Sequence, residues 1–120
     1  MSLLVEREYY KPFNYPWAFE HYKTQQHMHW LPDEVNLADD LRDYRDRLTP
    51  ENKKLISQIF RFFTQADVDV CCGYAKHYLP TFKQPEVRMM LSAFAAMEAV
   101  HQEAYSLHLE TLGFGDEEYQ

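Results

Sequence analysis

Four side chains could share one piece of chemistry. Glu98 and His101 stand three positions apart, and Tyr105 follows four later. On a helix, at ~100° per residue, the three fall within about 60° of one another. Leu91, Phe94 and Leu109 share that stripe, so a carboxylate and an imidazole lie on a face that should be dry. Such groups are costly to bury unless they are paired or bound to a metal. Asp67 repeats the anomaly in an earlier segment, in the row Phe60, Phe63, Cys71 and Tyr74. The chemistry open to these residues is oxygen and nitrogen coordination of a first-row metal. Glu-x-x-His presents a carboxylate and an imidazole one turn apart, and Asp67 from a neighbouring helix would close a three-ligand half-site. Iron or manganese suits such a carboxylate-rich set.

A blander reading competes at each position. With 11 Glu and 6 His in 120 residues, chance alone supplies about 0.5 Glu-x-x-His pairs. A single core histidine is more often simply hydrogen-bonded, and Asp67 could accept bonds from Tyr or Lys. The joint pattern, with inward acids on adjacent helices and His and Tyr in phase, carries more weight than any one member. Asp69 competes with Asp67, but its helical neighbours Gln65, Gly73 and Lys76 make a wetter face. Glu103 and Glu110 lie off the stripe. His21, His27 and His29 read as surface or packing residues. Cys71 and Cys72 read as small core residues rather than ligands.

Prolines mark the elements that must position these groups. Residues 1–15 are aromatic and proline-interrupted, an irregular arm lying over something else. Pro16 opens a helix over 16–30, closed by Leu31-Pro32. A short charged surface helix is expected over 33–45. Thr49-Pro50-Glu51 caps and starts a long helix over 50–79, and Gln84-Pro85-Glu86 starts another over 85–112 that stops at Gly113. The short connection between Pro80 and Pro85 makes the two long helices antiparallel neighbours. Apolar residues occupy more than one face of the first, so it should be buried on several sides. The fold class is all-α. The chain reads as half of a bundle, completed by a second chain or by a C-terminal half. Ferritin-like di-metal bundles take one carboxylate from each of two helices and Glu-x-x-His from each of two others.

Composition narrows the partners. The net charge is −7, which argues against nucleic acid or an anionic membrane. No apolar run approaches the roughly 20 residues of a membrane span. The start MSLLVEREYY lacks the features of a signal peptide, and two adjacent cysteines build no disulfide framework. A cytoplasmic setting is expected.

The segments FFTQADVDV and MMLSAFAAMEAVHQEAYSLHLETLGF resemble the small, radical-generating subunit of class I ribonucleotide reductase. HWLPDEVNLADDLRDY and LTPENKKLISQIF resemble the part just upstream, so the likeness covers roughly residues 12–120. It implies that Asp67, Glu98 and His101 are metal ligands, with Glu98 bridging two metals. It implies that Tyr105 is oxidised to a stable radical and that Trp30 carries long-range electron transfer. The implied cofactor is dinuclear iron, or alternatively manganese or a mixed manganese/iron pair. The implied partners are the remaining half of the small subunit, a second small subunit in a dimer, and the large catalytic subunit. Phe62, Phe63, Phe94 and Leu109 are candidates for an apolar shell around the radical. Family members are far longer, and two further Glu, a second Glu-x-x-His set and the docking tail are missing from these residues. The alternatives are a ferritin-like oxidase or metal-storage protein, and a non-catalytic helical module that docks a partner.

Overall fold

The computed structural model describes residues 2–115. Among them every regular element is helical. Helix α1 spans Pro16–His27, a 3₁₀ turn Pro32–Glu34, α2 Ala38–Asp46 and α3 Pro50–Gly73. A π-helical stretch Tyr74–Tyr78 and the single turn α4, Leu79–Thr81, lead to α5, Pro85–Thr111. The chain divides into two compact units, Met1–His29 with Asp69–Ala99 and Trp30–Val68 with Val100–Gln120.

In the first unit the core is Ala18, Val87, Met90 and Leu91. Leu3, Tyr15, Tyr22, Tyr74, Leu79, Phe82 and Phe94 pack against it. Among its described residues the arm carries no regular helix, and it is tightly held. The N–H of Lys83 donates to the carbonyl of Leu3 at 3.0 Å, and Arg7 is buried against Gln84 and Glu86. Across the link between the long helices, Arg88 Nε donates to the carbonyls of Leu79 and Phe82. Cys71 Sγ lies 3.8 Å from the carbonyl oxygen of Ala95.

In the second unit Thr49 Oγ1 accepts the N–H of Asn52 at 3.2 Å, which caps the first turn of α3. Tyr44 and Ser57 join α2 to α3 at 3.2 Å, and Lys53 Nζ donates to the carbonyl of Arg45. Leu109 is wholly buried. Phe60 meets His108 and Phe63 meets Tyr105, so α3 and α5 run antiparallel here. Past the end of α5, Gly113 takes φ 97°. Its N–H bonds the carbonyl of Glu110 and that of Phe114 the carbonyl of Leu109, a paired closure that ends the helix.

Several elements differ from the expectation. Helix α1 ends at His27, three residues early: Leu31 is held extended before Pro32, and the chain leaves the helix to reach it. The helix expected over 33–45 is split into the 3₁₀ turn and α2. Between them Asn36 Oδ1 accepts the N–H of Ala38, a local turn that competes with helix. The long helix over 50–79 is not uniform. Pro80 has no N–H to donate, and the N–H of Leu79 reaches back five residues to the carbonyl of Tyr74. Helix α3 is also not covered on several sides. Leu55, Ile59, Phe62, Phe63 and Val70 are exposed. Cys72 is exposed as well, because it lies ~100° around the helix from Cys71.

Candidate metal centre

The second unit brings Asp67 and His101 together on two facing helices. Phe63 stacks on Tyr105 with ring centroids 5.6 Å apart and planes 16° apart. Asp67 comes one turn after Phe63 on α3, and His101 one turn before Tyr105 on α5. Those two turns meet, and a carboxylate oxygen of Asp67 lies within 4.8 Å of a ring nitrogen of His101. Gln102 Nε2 donates to the backbone carbonyl of Asp67 at 3.3 Å, tying the same turns together. Glu98 stands three residues before His101 on the same unbroken helix. It brings a carboxylate oxygen within that same reach of the imidazole.

Asp67, Glu98 and His101 are each partly buried. The Oδ2 oxygen of Asp67 is shielded from solvent. Two carboxylates and one imidazole, with one oxygen out of bulk water, form a hard donor set that fits iron or manganese. Three protein ligands leave coordination positions open for further ligands.

Around Tyr105 the rings are close. Phe60 lies 6.0 Å from it and 4.4 Å from His108. Trp30 stands beside His101 at 6.4 Å between ring centroids. Trp30, Pro32, Val35, Leu37, Tyr105, Leu107 and His108 line a small, mainly apolar cavity of about 180 Å³. Of the residues expected to shield Tyr105, Phe63 stacks on it and Leu109 is buried in the same unit. Phe62 is 68% exposed and touches Phe63 instead. Phe94 packs in the core of the first unit. Phe60, not among the expected residues, is the second ring on the phenol. Its position in the row of Asp67 was the available signal.

In the first unit, burial first, then the charge of Glu98 and the neighbouring Tyr78, push the Tyr74 hydroxyl above its usual range. Asp69, Glu103 and Glu110 are exposed, as are His21, His27 and His29. Sequence reasoning missed Arg7. It treated Glu86 as a helix-start acid, whereas Glu86 is fully buried and ion-paired to Arg7 at 2.6 Å. No local pattern links residues 79 positions apart.

Known proteins resemble this chain over its whole length. The model of the family "Ribonucleotide reductase, small chain" matches residues 7–120. A protein named "Probable ribonucleoside-diphosphate reductase small subunit" from Invertebrate iridescent virus 6 is 49% identical over 120 residues, which are all of this chain and 33% of that protein. Its counterpart in Invertebrate iridescent virus 3 is 46% identical over 120 residues and is covered to 32%. The chain therefore spans about a third of the length of these curated relatives. The solved structure of the ribonucleotide reductase Rnr4 homodimer from Saccharomyces cerevisiae superposes with a TM-score of 0.86. That likeness covers 98% of this chain and 38% of the other at 20% identity, and it shows a shared ferritin-like helical fold. With the family model matching all but the first six residues, this chain belongs to the ribonucleotide reductase small-chain family.

Proposed function

We propose that this chain forms the N-terminal part of a small subunit of ribonucleoside-diphosphate reductase, the component that makes the radical for deoxyribonucleotide synthesis. Asp67, Glu98 and His101 hold metal of the family's dinuclear centre, iron or alternatively manganese or a mixed pair. The observation that carries this reading is the meeting of the Asp67 carboxylate and the His101 imidazole, with Glu98 one turn away and Tyr105 one turn beyond. When bound, the metals supply one-electron oxidising power drawn from oxygen.

The chain's own residues have distinct tasks in this reading. Asp67 and Glu98 balance cationic charge, and His101 adds a neutral nitrogen donor. Tyr105 gives up one electron and its phenolic proton. Phe60 and Phe63 limit the access of water and reductants to the ring, which lengthens the life of a phenoxyl radical. Trp30 beside His101 offers an aromatic step for carrying the oxidising equivalent outward, toward a cysteine of the large subunit.

The remaining two-thirds of the relatives' length supplies the other ligands and covers the apolar face of α3. The complete subunit pairs with a second copy and works in the cytoplasm. No helix among the described residues is long and apolar enough to cross a membrane. The test is ferrous iron and air added to the chain together with its complementing portion. A sharp tyrosyl absorption and radical resonance are expected. An oxo-bridged band alone would favour an oxidase or storage role, and no uptake of iron or manganese would favour a docking module.

A further inference from the structure

A buried polar cluster lies where the arm meets α5. Arg7 is 7% exposed, Gln84 1% and Glu86 0%. The Arg7 guanidinium donates from Nη2 to Glu86 Oε2 at 2.6 Å and from Nη1 to Glu86 Oε1 at 3.2 Å. It also donates to Gln84 Oε1 at 3.0 Å. Its remaining reach goes to the carbonyls of Tyr9 and Tyr10, each at 2.8 Å. The backbone N–H groups of Asn14 and Tyr15 donate to Glu86 Oε1 at 2.9 Å. Gln84 Nε2 donates to the carbonyl of Val5 at 2.7 Å, and Asn14 Nδ2 to Gln84 Oε1 at 3.0 Å. Four arm residues, Val5, Arg7, Asn14 and Tyr15, thus converge on two side chains that flank Pro85. A fork of donors meeting a carboxylate and an amide at once is a geometry that only arginine supplies.

The same unit contains Glu98. Val87, Leu91, Phe94 and Glu98 follow one another at helical spacing on α5. Val87 and Leu91 are core, and Phe94 packs on that core with Leu3 and Tyr15 from the arm and with Tyr74. The rotation of α5 that buries this stripe is therefore the rotation that presents Glu98, and the arm grips the helix at its first turn. We propose that Arg7 is a positioning residue for Glu98: it locks residues 3–15 as a strap onto Gln84 and Glu86, and the locked strap fixes the rotation of α5. The positioning role rests on Glu98 being a metal ligand. The lock itself does not.

The test uses the full chain and the variants Arg7→Ala, Arg7→Lys and Gln84→Ala, with circular dichroism to confirm retained helix. Amide hydrogen exchange at Asn14 and Tyr15 reads the lock, and titration with cobalt(II) alone, followed by its visible d–d bands, reads the ligand set. Arg7→Ala should speed exchange at both amides roughly tenfold or more. It should also weaken cobalt(II) binding and alter the band pattern. Arg7→Lys should not rescue either readout, since a point charge cannot span Glu86 and Gln84 together. Gln84→Ala is the milder variant, with a smaller change in the same directions. Unchanged amide protection in Arg7→Ala overturns the lock. Faster exchange with unaltered cobalt(II) affinity and bands overturns the positioning role. If the unsubstituted chain and Glu98→Ala take up cobalt(II) equally, the ligand reading of Glu98 fails and the positioning role falls with it, while exchange still reports on the strap.

Discussion

Asp67 and Glu86 are both acids on largely apolar helices, and each meets the cost of burial differently. Burial pushes the Glu86 carboxyl up, but hydrogen bonds from Arg7, its own N–H and that of Tyr15, with the Arg7 charge, bring it below its usual range. The folded value is thus lower than the unfolded one. The ionised group contributes stability above the unfolded value, and that contribution is lost as pH falls through the depressed folded value. Glu86→Gln should lower the urea midpoint at neutral pH and flatten its acid limb, a difference read from melts between about pH 3 and pH 7. Asp67 instead lies within 4.8 Å of the His101 imidazole, and in the proposed function a metal cation offsets its charge. Glu98→Ala and His101→Ala should each abolish iron or manganese loading, measured by elemental analysis, with little loss of helix content. Tyr105→Phe should retain the metal and lose the tyrosyl resonance. A normal radical yield in that variant would remove Tyr105 from its role.

At the scale of elements, the ends are set by local chemistry and the middles by packing. Gly113 sits at positive φ with open space where a Cβ would be. Gly113→Ala should therefore cost only the conformational penalty, about 1–2 kcal/mol, read by chemical denaturation. Leu109 is fully buried. Leu109→Ala should cost about 2–5 kcal/mol in the same measurement, the range for a leucine cavity that only partly collapses. Thr49-Pro50-Glu51 and Gly113 were legible as helix boundaries because cap, proline and glycine signals act over three or four residues. The π stretch at Tyr74–Tyr78 was not legible, although its cause, Pro80, is in plain sight. A proline announces a disturbance, but whether the chain kinks, stops or widens depends on what packs around it.

At the scale of the whole molecule, the apolar stripe of α3 is the dominant feature left open. Phe62 is 68% exposed and Leu55 55%, in a chain about a third as long as its curated relatives. Apolar residues at this spacing normally lie against another element. Phe62→Asp should reduce binding of an apolar fluorescent dye and shift native mass toward monomer, with helix content retained. If the dye signal and the mass are unchanged, the stripe is not a contact surface.

By itself the sequence determined the helical class, the pairing of two long helices and the phase of Asp67, Glu98, His101 and Tyr105. Each follows from proline placement or from the 3.6-residue period, which act along one helix or across one short link. Tertiary structure alone decided that Phe60 and Phe63, and not Phe62, lie on the Tyr105 ring, because helix phase names a face but not the partner that fills it. It also decided that Arg7 seals the start of α5. An ion pair between residues 7 and 86 exists only once the arm has folded back, since water leaves both charges together and nothing near either residue encodes the other.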